Sequence, residues 1–383
     1  MTAVAPASAQ AAPTLEAIPA SGAWRPGDPV GNRRFAPIGD LRLEDGSVVP
    51  DAVLAYETWG TLSAARDNAV YIAHALTGDS HAYGDAELGH PTPGWWNPLI
   101  GPGKPVDPER HFIVSANVIG GCQGSTGPAS LAPDGTPWGS RFPWPSVRDL
   151  VTAEVALADL LGIDRWRLIA GPSLGGMRVL EWAATYPERV GALAVLGTTS
   201  ATTADQLAWG VPQVAAIRAD PGFRRGDYYD APAGSGPHVG LGIARQIAHV
   251  TYRSAEELGR RFDRDRRPDG VYEVQSYLEH HGEKLARRFD ANTYLRLVHA
   301  INGHDIGRGR GGVDRALARY EGAALVIAVD SDRLYPVGDA ERVAAALPQA
   351  GGVHVVSSSV GHDGFLVESA AINEVVGEFE RAL

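Results

Sequence analysis

Cysteine and lysine are scarce in this sequence. Among 383 residues there is one cysteine, Cys122, so a disulfide within the chain is excluded and nothing points to an oxidising compartment. Lys104 and Lys284 are the only lysines, and arginine therefore carries nearly all of the positive charge. The formal net charge is −11, with 45 acidic against 34 basic side chains, which argues against a nucleic-acid partner.

Long apolar runs are also missing. No stretch reaches the roughly 18 apolar residues that a membrane-spanning helix needs, so we expect no membrane partner. The Ala- and Pro-rich first segment has neither a basic start nor an apolar run of signal-peptide length. We therefore predict a cytoplasmic protein with a mobile tail over residues 1–30.

The sequence does contain a repeated alternation of short apolar runs with amphipathic segments. Two alternating stretches, around Leu41–Leu43 and Val53–Tyr56, predict antiparallel strands joined at the Asp45-Gly46 turn. Later runs have the length of strands buried on both faces of a parallel sheet, and they cover 69–75, 112–118, 166–170, 192–196, 323–329 and 353–356. Helical patterns over 148–161, 175–185 and 365–383 lie among them. This order predicts a mostly parallel, doubly wound α/β sheet.

The alternation stops after about residue 200. Helical patterns cover 204–218, 241–252, 273–289 and 292–301, and no strand pattern returns before residue 323. A helical insertion between two strands of an α/β core typically covers the active site. We predict a helical lid over 201–315, inserted in a core formed by 31–200 and 316–383.

One serine lies in a setting typical of a catalytic nucleophile. The segment GPSLG (171–175) fits G-x-S-x-G, with a predicted strand before it and a predicted helix after it. Glycines permit the sharp turn, and the helix N-terminus favours developing negative charge. We therefore predict that Ser173 is the nucleophile of an α/β-hydrolase fold. A tight turn with an incidental serine is the alternative.

A serine nucleophile needs a histidine base and a carboxylate that orients it, and in this fold they follow in the order Ser, acid, His. His362 lies in GHD (361–363), after the last predicted strand and before the last helix. Asp330 and Asp332 both follow the preceding strand. We choose Asp332 because it lies past the strand end and is free to reach His362, with Asp330 as the alternative.

Two backbone N–H groups must hold the oxyanion of the reaction. One belongs to Leu174, directly after the nucleophile. The other is expected in the loop HALTGDSH (74–81), where we choose Leu76. His74 and His81 in this loop are expected to form local hydrogen bonds. The spacing of His, Asp and Glu predicts no metal site.

Motifs over nearly the whole chain resemble those of homoserine O-acetyltransferases, which are α/β-hydrolase-fold amino-acid O-acyltransferases. The match includes the loop 74–81 and the nucleophile turn, and it runs from about residue 35 onwards. Further matching segments are GGCQGSTGP (120–128), GLGIAR (240–245), TYRS (251–254), QSYLEH (275–280), SDRLYP (331–336) and GHDGFL (361–366). The segment HDIGRGRGG (304–312) is most similar to actinobacterial members. The resemblance supports Asp332 over Asp330, with Ser173 and His362 as the other catalytic residues.

The resemblance also implies how the substrates bind. Arg245 would meet the carboxylate of the amino-acid acceptor, with Tyr252 nearby, and Asp363 would meet its ammonium group. A zwitterion needs such opposite charges, held apart by its own length. Without the resemblance, packing of a lid helix is the simpler interpretation of Arg245 and Tyr252. The family pattern further implies acetyl-CoA as co-substrate, no bound cofactor, L-homoserine as acceptor, a step of methionine biosynthesis and a homodimer.

Alternatives remain at this point. Pro172 stands where most acetyltransferases of the family have glycine, and close relatives use succinyl-CoA or accept serine, so the acyl donor and the acceptor stay open. A serine esterase or thioesterase needs the same triad but not the Arg245 and Asp363 pair that would bind the acceptor. A non-enzymatic scaffold needs neither the triad nor that pair. The segment GRGRGG (307–312) matches a dinucleotide-binding pattern but follows helical sequence, so we expect a flexible linker, with a basic loop for CoA phosphate as the alternative. Cys122 is expected to be a small packed side chain.

Overall fold

The structure, a computed structural model, describes residues 17–383. A central sheet of eight strands has the order β1-β2-β4-β3-β5-β6-β7-β8. The first two pairings, β1 with β2 and β2 with β4, are antiparallel, and the others are parallel. The strands are β1 Arg34–Arg42, β2 Val48–Trp59, β3 Ala69–Ile72, β4 Phe112–Ala116, β5 Trp166–Pro172, β6 Val190–Leu196, β7 Ala323–Val329 and β8 His354–Val356. The predicted mostly parallel sheet is therefore confirmed.

Helices cover both faces of this sheet and fill the interval between β6 and β7. They are α1 Val147–Leu161, α2 Leu174–Thr185, α3 Ala204–Ala219, α4 His238–Tyr252, α5 Ala255–Phe262, α6 Glu273–Ala286, α7 Ala291–Asn302, α8 Val313–Leu317, α9 Val337–Ala346, α10 Gly364–Val367 and α11 Ser369–Ala382. Helices α5, α8 and α9 were not predicted. The single helix predicted over 365–383 is divided at Glu368, whose ψ of 50° is not helical. Helices α3 to α8 form the helical insertion, and its predicted bounds, 201–315, stay a prediction.

Local sequence explains where α1 and α3 begin. Ser146 accepts a hydrogen bond from the Asp149 amide, and the Asp149 side chain accepts one from the Ser146 amide. Thr203 and Gln206 form the same reciprocal pair before α3. Each pair satisfies two N–H groups that the first helical turn otherwise leaves without partners. These two helix starts are thus encoded within four residues each.

A buried ion pair joins the layers behind the nucleophile. Arg178 of α2 is fully buried and contacts Glu154 of α1, with Nη1 2.7 Å from Oε1. Its Nη2 donates to the carbonyl of His74 after β3, and Trp182 Nε1 donates to the other Glu154 oxygen. Burial raises the pKa of Glu154, although Arg178 opposes this effect. Since each buried charge has a partner, the group holds α1, α2 and the loop after β3 together.

The N-terminal segment and the end of the insertion are both held by contacts. The Gly22 amide donates to the Phe289 carbonyl and the Trp24 amide donates to the Cys122 carbonyl, so residues 17–30 of the predicted mobile tail are held by backbone hydrogen bonds. Residues 1–16 of that tail lie outside the described residues. The glycine-rich segment 307–312 is tied to the core by an ion pair of Arg308 with Glu44, and Arg310 pairs with α2. Within residues 17–383, no helix is long and apolar enough to cross a membrane.

Candidate active site

Ser173 lies in the sharp turn between β5 and α2. Its φ of 55° and ψ of −123° are strained for a residue with a side chain, and it is 7 % exposed. The turn leaves no room beside it. A Cβ added at Gly171 would lie 2.7 Å from the Gly175 carbonyl carbon, and one at Gly175 would overlap the Ala73 carbonyl oxygen. The strand–turn–helix setting predicted for Ser173 is therefore present, and both glycines are sterically required.

His362 and Asp332 are in direct contact. His362 Nδ1 lies 2.7 Å from Asp332 Oδ2, and both side chains are buried. The other carboxylate oxygen, Oδ1, accepts the amides of Leu334 and Tyr335 at 2.8 and 2.9 Å. Asp332 is therefore fixed from one side and orients the imidazole from the other. With Nδ1 donating to Asp332, Nε2 of His362 is left to accept a proton.

Asp330, the alternative acid, points elsewhere. One of its oxygens accepts the Ser358 amide at 2.9 Å, across from β7 to the segment after β8. This hydrogen bond lowers the pKa of Asp330. The structure thus brings Asp332, and not Asp330, to His362.

The environment of His362 sets its protonation. Burial by itself lowers the pKa of the imidazole, but the charge and the hydrogen bond of Asp332 outweigh that effect, and the pKa stands above its ordinary 6.5. The rings of Tyr252, Tyr335 and Phe365 surround it, with centroids 5.1–5.6 Å from that of His362. A base with a raised pKa in an apolar enclosure is suited to take a hydroxyl proton near neutral pH.

The two amides expected to hold the oxyanion lie beside Ser173. Leu174 is the first residue of α2, so its N–H has no acceptor within the helix. Leu76 lines the same cavities as Ser173, and its N–H has no hydrogen-bond acceptor among residues 17–383. His74 holds the loop that carries Leu76, since its Nδ1 contacts the Ala75 carbonyl at 2.7 Å and its Nε2 accepts the Val118 amide. Burial lowers the pKa of His74 to about 3, so this ring is neutral.

Two cavities of different size and charge meet at Ser173. The larger, of about 400 Å³, is lined by five cationic side chains as well as by His362 and Asp363, and these are Arg33, Arg245, Arg253, Lys284 and Arg288. The smaller, of about 50 Å³, will be called the small chamber. Its wall is formed by Leu76, Ser173, Gln206, Trp209, Gly210, Gln213, Thr251, Tyr252, Val298, Ile301, Asn302, Leu334 and Tyr335. The large cavity is thus suited to anionic ligands and the small chamber to an uncharged group.

Arg245 faces the large cavity from α4. Its guanidinium lies 5.2 Å from the centre of the Tyr252 ring and 3.4 Å from Thr77 Oγ1. No carboxylate of residues 17–383 lies within ion-pair distance of it. Tyr252 in turn packs against His362. The structure therefore places Arg245 and Tyr252 next to the catalytic groups, with the arginine available to an anion.

Asp363 also lines the large cavity, but it already has a cationic neighbour. Arg253 Nη2 lies 3.2 Å from Asp363 Oδ2, and Arg253 also contacts Glu257. Burial raises the pKa of Asp363, and Arg253 opposes the effect. Arg253 was not singled out from the sequence, although it lies in the TYRS segment (251–254). Its contact fixes one oxygen of the carboxylate that was predicted to meet an ammonium group.

One group of ligand-type side chains comes together in the described part of the chain: Glu57, His81 and His90. The two imidazole rings are stacked, 3.9 Å apart at an angle of 11°, so their nitrogen lone pairs lie in two nearly parallel planes. His81 contacts Glu57 through Nδ1 and the Asp85 carbonyl through Nε2, while His90 Nε2 accepts the Asn32 amide. This donor arrangement fits a His81–Glu57 ion pair better than a metal ion. The absence of a metal stays a prediction.

Two further residues were missed by sequence reasoning. Tyr335 lines the small chamber together with Ser173, and its ring lies 5.3 Å from that of His362; the SDRLYP segment (331–336) was the available signal. Arg288 donates to the Thr77 carbonyl and pairs with Asp79, both at 2.8 Å, so it holds the loop that carries Leu76. Cys122 is buried, and burial raises the pKa of its thiol to about 12, as expected for a packed and unreactive side chain.

Comparison with known proteins identifies the family of this chain. Residues 68–369 match the family model described as the alpha/beta hydrolase fold. The homoserine O-acetyltransferase of Thermobifida fusca is 53% identical over 372 residues, which cover 95% of this chain and 98% of that protein. That of Leifsonia xyli is 53% identical over 92% of this chain and 90% of its own length.

A solved structure agrees on the fold. The crystal structure of esterase E22 superposes with a TM-score of 0.83 at 24% identity, covering 91% of this chain and 99% of that one. At this level of identity the likeness concerns the fold alone. The chain belongs to the homoserine O-acetyltransferase family of α/β-hydrolase-fold proteins.

Proposed function

We propose that this protein transfers an acetyl group from acetyl-CoA to the γ-hydroxyl of L-homoserine, through an acyl-enzyme on Ser173. The observation that carries the proposal is the contact of His362 with Asp332, where His362 and Ser173 line the same arginine-rich cavity. The names of the relatives support the acceptor and the group transferred. The product is an activated amino acid, which fits a step of methionine biosynthesis.

The first half-reaction forms the acyl-enzyme. His362 Nε2 takes the proton of the Ser173 hydroxyl while Oγ attacks the thioester carbon. The amides of Leu76 and Leu174 stabilise the oxyanion of the tetrahedral intermediate. The carbon–sulfur bond then breaks, the proton on His362 passes to the thiolate, and CoA leaves. No metal or resident cofactor takes part in this scheme.

The second half-reaction transfers the acyl group. The hydroxyl of the acceptor loses its proton to His362 and attacks the acyl carbon. The bond to Ser173 Oγ then breaks, and His362 returns the proton to this oxygen. Arg245 holds the carboxylate of the acceptor, while Asp363, held by Arg253, accepts from its ammonium group. The two charges of the acceptor thus select an amino acid and direct its hydroxyl towards the acyl-enzyme.

Release of free CoA thiol tests this proposal. Acetyl-CoA is offered with L-homoserine, with L-serine and with no acceptor. We expect rapid release with L-homoserine and slow release with the other two, because one methylene in the acceptor changes discrimination about 10–200-fold. Equal release with and without acceptor would identify a hydrolase and refute the transfer.

Assembly and location belong to the same proposal. Helices α3 and α4 expose Val211, Val239 and Ile243, which are 64%, 59% and 42% accessible. Apolar side chains on adjoining helices support the homodimer implied by the family. The substrates proposed here are metabolites of the cytoplasm, in agreement with the location predicted from the sequence.

A further inference from the structure

The small chamber has no role in the scheme above, although Ser173 and Leu76 both form part of its wall. The acyl carbon of an acyl-enzyme is bonded to Ser173 Oγ, and its oxygen is held at Leu76 and Leu174. The rest of the acyl group must therefore project into one of the two cavities that meet at this serine. Their difference in charge and size decides between them.

Charge assigns the large cavity to the other substrate groups. Its cationic side chains suit the carboxylate of the acceptor and the phosphates of CoA. By contrast, none of the described residues that line the small chamber is acidic or basic. An uncharged methyl group has no electrostatic interaction with the cationic side chains of the large cavity, so the small chamber suits it equally well. A carboxylate in the small chamber would be buried without a partner.

Two polar side chains of the small chamber, Gln206 and Gln213, are hydrogen-bonded to neighbouring segments. The Gln206 amide donates to the Leu334 carbonyl and to Asp339, at 3.0 and 2.8 Å. Gln213 accepts the hydroxyl of Tyr294 at 2.8 Å. These bonds tie α3 to the segment after β7 and to α7. The wall is therefore held in place at Gln206 and Gln213.

Size gives a second limit. A volume of about 50 Å³ holds only a few water-sized groups, each of which needs about 10–15 Å³. An acetyl group places one methyl there. A succinyl group places two methylenes and a charged carboxylate in the same space. Val298 of α7, which is 4% exposed, forms part of the wall that limits the volume of the small chamber.

We propose that the small chamber is the acyl-binding site, and that its uncharged, closely packed wall at Val298 restricts the donor to short, uncharged acyl groups. The proposal rests on the proposed function, because it assumes an acyl-enzyme on Ser173. It identifies residues that select acetyl-CoA over succinyl-CoA, the choice that the sequence left open.

The test compares acyl donors on the wild-type enzyme. Thiol release with L-homoserine is measured for acetyl-, butyryl- and succinyl-CoA. We expect kcat/KM about tenfold or more lower for butyryl than for acetyl, and at least about 100-fold lower for succinyl, since a buried unpaired charge adds to the misfit. A succinyl value equal to the acetyl value overturns the proposal, and this comparison needs no variant.

Two variants locate the site. Val298→Ala enlarges the small chamber and should raise the butyryl-to-acetyl ratio about tenfold. Leu285→Ala removes a similar side chain that lines only the large cavity, and it should leave that ratio unchanged. A ratio raised by Leu285→Ala and not by Val298→Ala would place the acyl group in the large cavity and refute the proposal.

p-Nitrophenyl acetate and butyrate separate this inference from the proposed function. Release of p-nitrophenolate reports acylation of Ser173 without CoA or an amino acid. A preference for acetate that Val298→Ala relaxes supports the acyl site even if no transfer to L-homoserine is found. Equal rates for both esters, with normal transfer to L-homoserine, would overturn the acyl site and leave the proposed function intact.

Discussion

Asp332 and Asp330 lie two residues apart after β7, and of the two only Asp332 contacts His362. Replacing Asp332 by Asn removes the acceptor that holds the imidazole in its catalytic tautomer. We expect kcat to fall about 10⁴-fold, as for the corresponding change in other serine triads. Neutral His362 is the active form, so the rate rises with pH through a pKa above 6.5, and in Asp332→Asn this midpoint should move to lower pH. Rates of p-nitrophenyl acetate hydrolysis between pH 5 and 9 measure both effects.

Asp330→Asn is the matched control. It weakens a hydrogen bond to the Ser358 amide but leaves His362 untouched. We expect kcat within a few-fold of wild type, an unchanged pH midpoint and a loss of about 1 kcal/mol of stability. A larger loss of kcat in Asp330→Asn than in Asp332→Asn would contradict the assignment of the acid.

For single residues, the sequence predicted which side chains are catalytic better than which side chains they contact. Ser173 and His362 were identified by their positions between strands and helices. Asp332 was preferred over Asp330 by its distance from the strand end and by family resemblance. Tyr335 and Arg253 were missed, because their roles come from contacts with His362 and Asp363, which are far away in the chain.

The turn between β5 and α2 is the element on which the site depends. A Cβ at Gly175 would overlap the Ala73 carbonyl oxygen at the end of β3, so the Gly175→Ala variant must move either α2 or β3. We expect a loss of about 3 kcal/mol in the free energy of unfolding and a large loss of activity. Urea unfolding followed by circular dichroism measures the first, and ester hydrolysis the second.

A glycine in another helix serves as the control for this change. At Gly338 of α9 the nearest atom to an added Cβ is 4.0 Å away. Gly338→Ala should therefore keep full activity and gain up to about 1 kcal/mol of stability, because alanine favours the helix. Equal effects of the two substitutions would show that crowding in the turn is unimportant.

Elements with a strong local pattern were predicted to within a few residues, whereas the short helices α5 and α8 were missed. Strand β7 was predicted at its observed bounds, since all of its residues from 324 on are buried and apolar. Helix α5 was missed, although Ser254 accepts the Glu257 amide and so gives a readable helix start. Helix α8 has five residues, too few to show a helical period.

The insertion and the core must stay closed over the acyl-enzyme, because water competes with the acceptor. Arg288, two residues after the end of α6, joins them by contacting Thr77 and Asp79 of the loop 74–81, which carries Leu76 and is called the oxyanion loop. Arg288→Ala should destabilise the protein by about 1–3 kcal/mol and displace Leu76. We expect the ratio of transfer to hydrolysis to fall about tenfold, since small misplacements of catalytic groups cost up to about 10²-fold in rate. Thiol release with and without L-homoserine gives this ratio.

Arg287, next to Arg288 in the chain, provides the control for the Arg288→Ala variant. Arg287 pairs with Glu283 four residues earlier on the exposed face of the same helix. Arg287→Ala should change stability by no more than about 0.5 kcal/mol and leave the ratio as it is. If both variants lower the ratio alike, closure depends on the charge of this region and not on the contact with the oxyanion loop.

The sequence by itself determined the sheet, the nucleophile turn, the order of the catalytic residues and the family, because each of these depends on side-chain periodicity or on a few adjacent residues. Only the tertiary structure decided what the site can accept. The small chamber unites Leu76, Trp209, Val298 and Tyr335, which lie on four separate segments of the chain. Its volume and neutrality are properties of packing between those segments, and no local pattern encodes the distance between them.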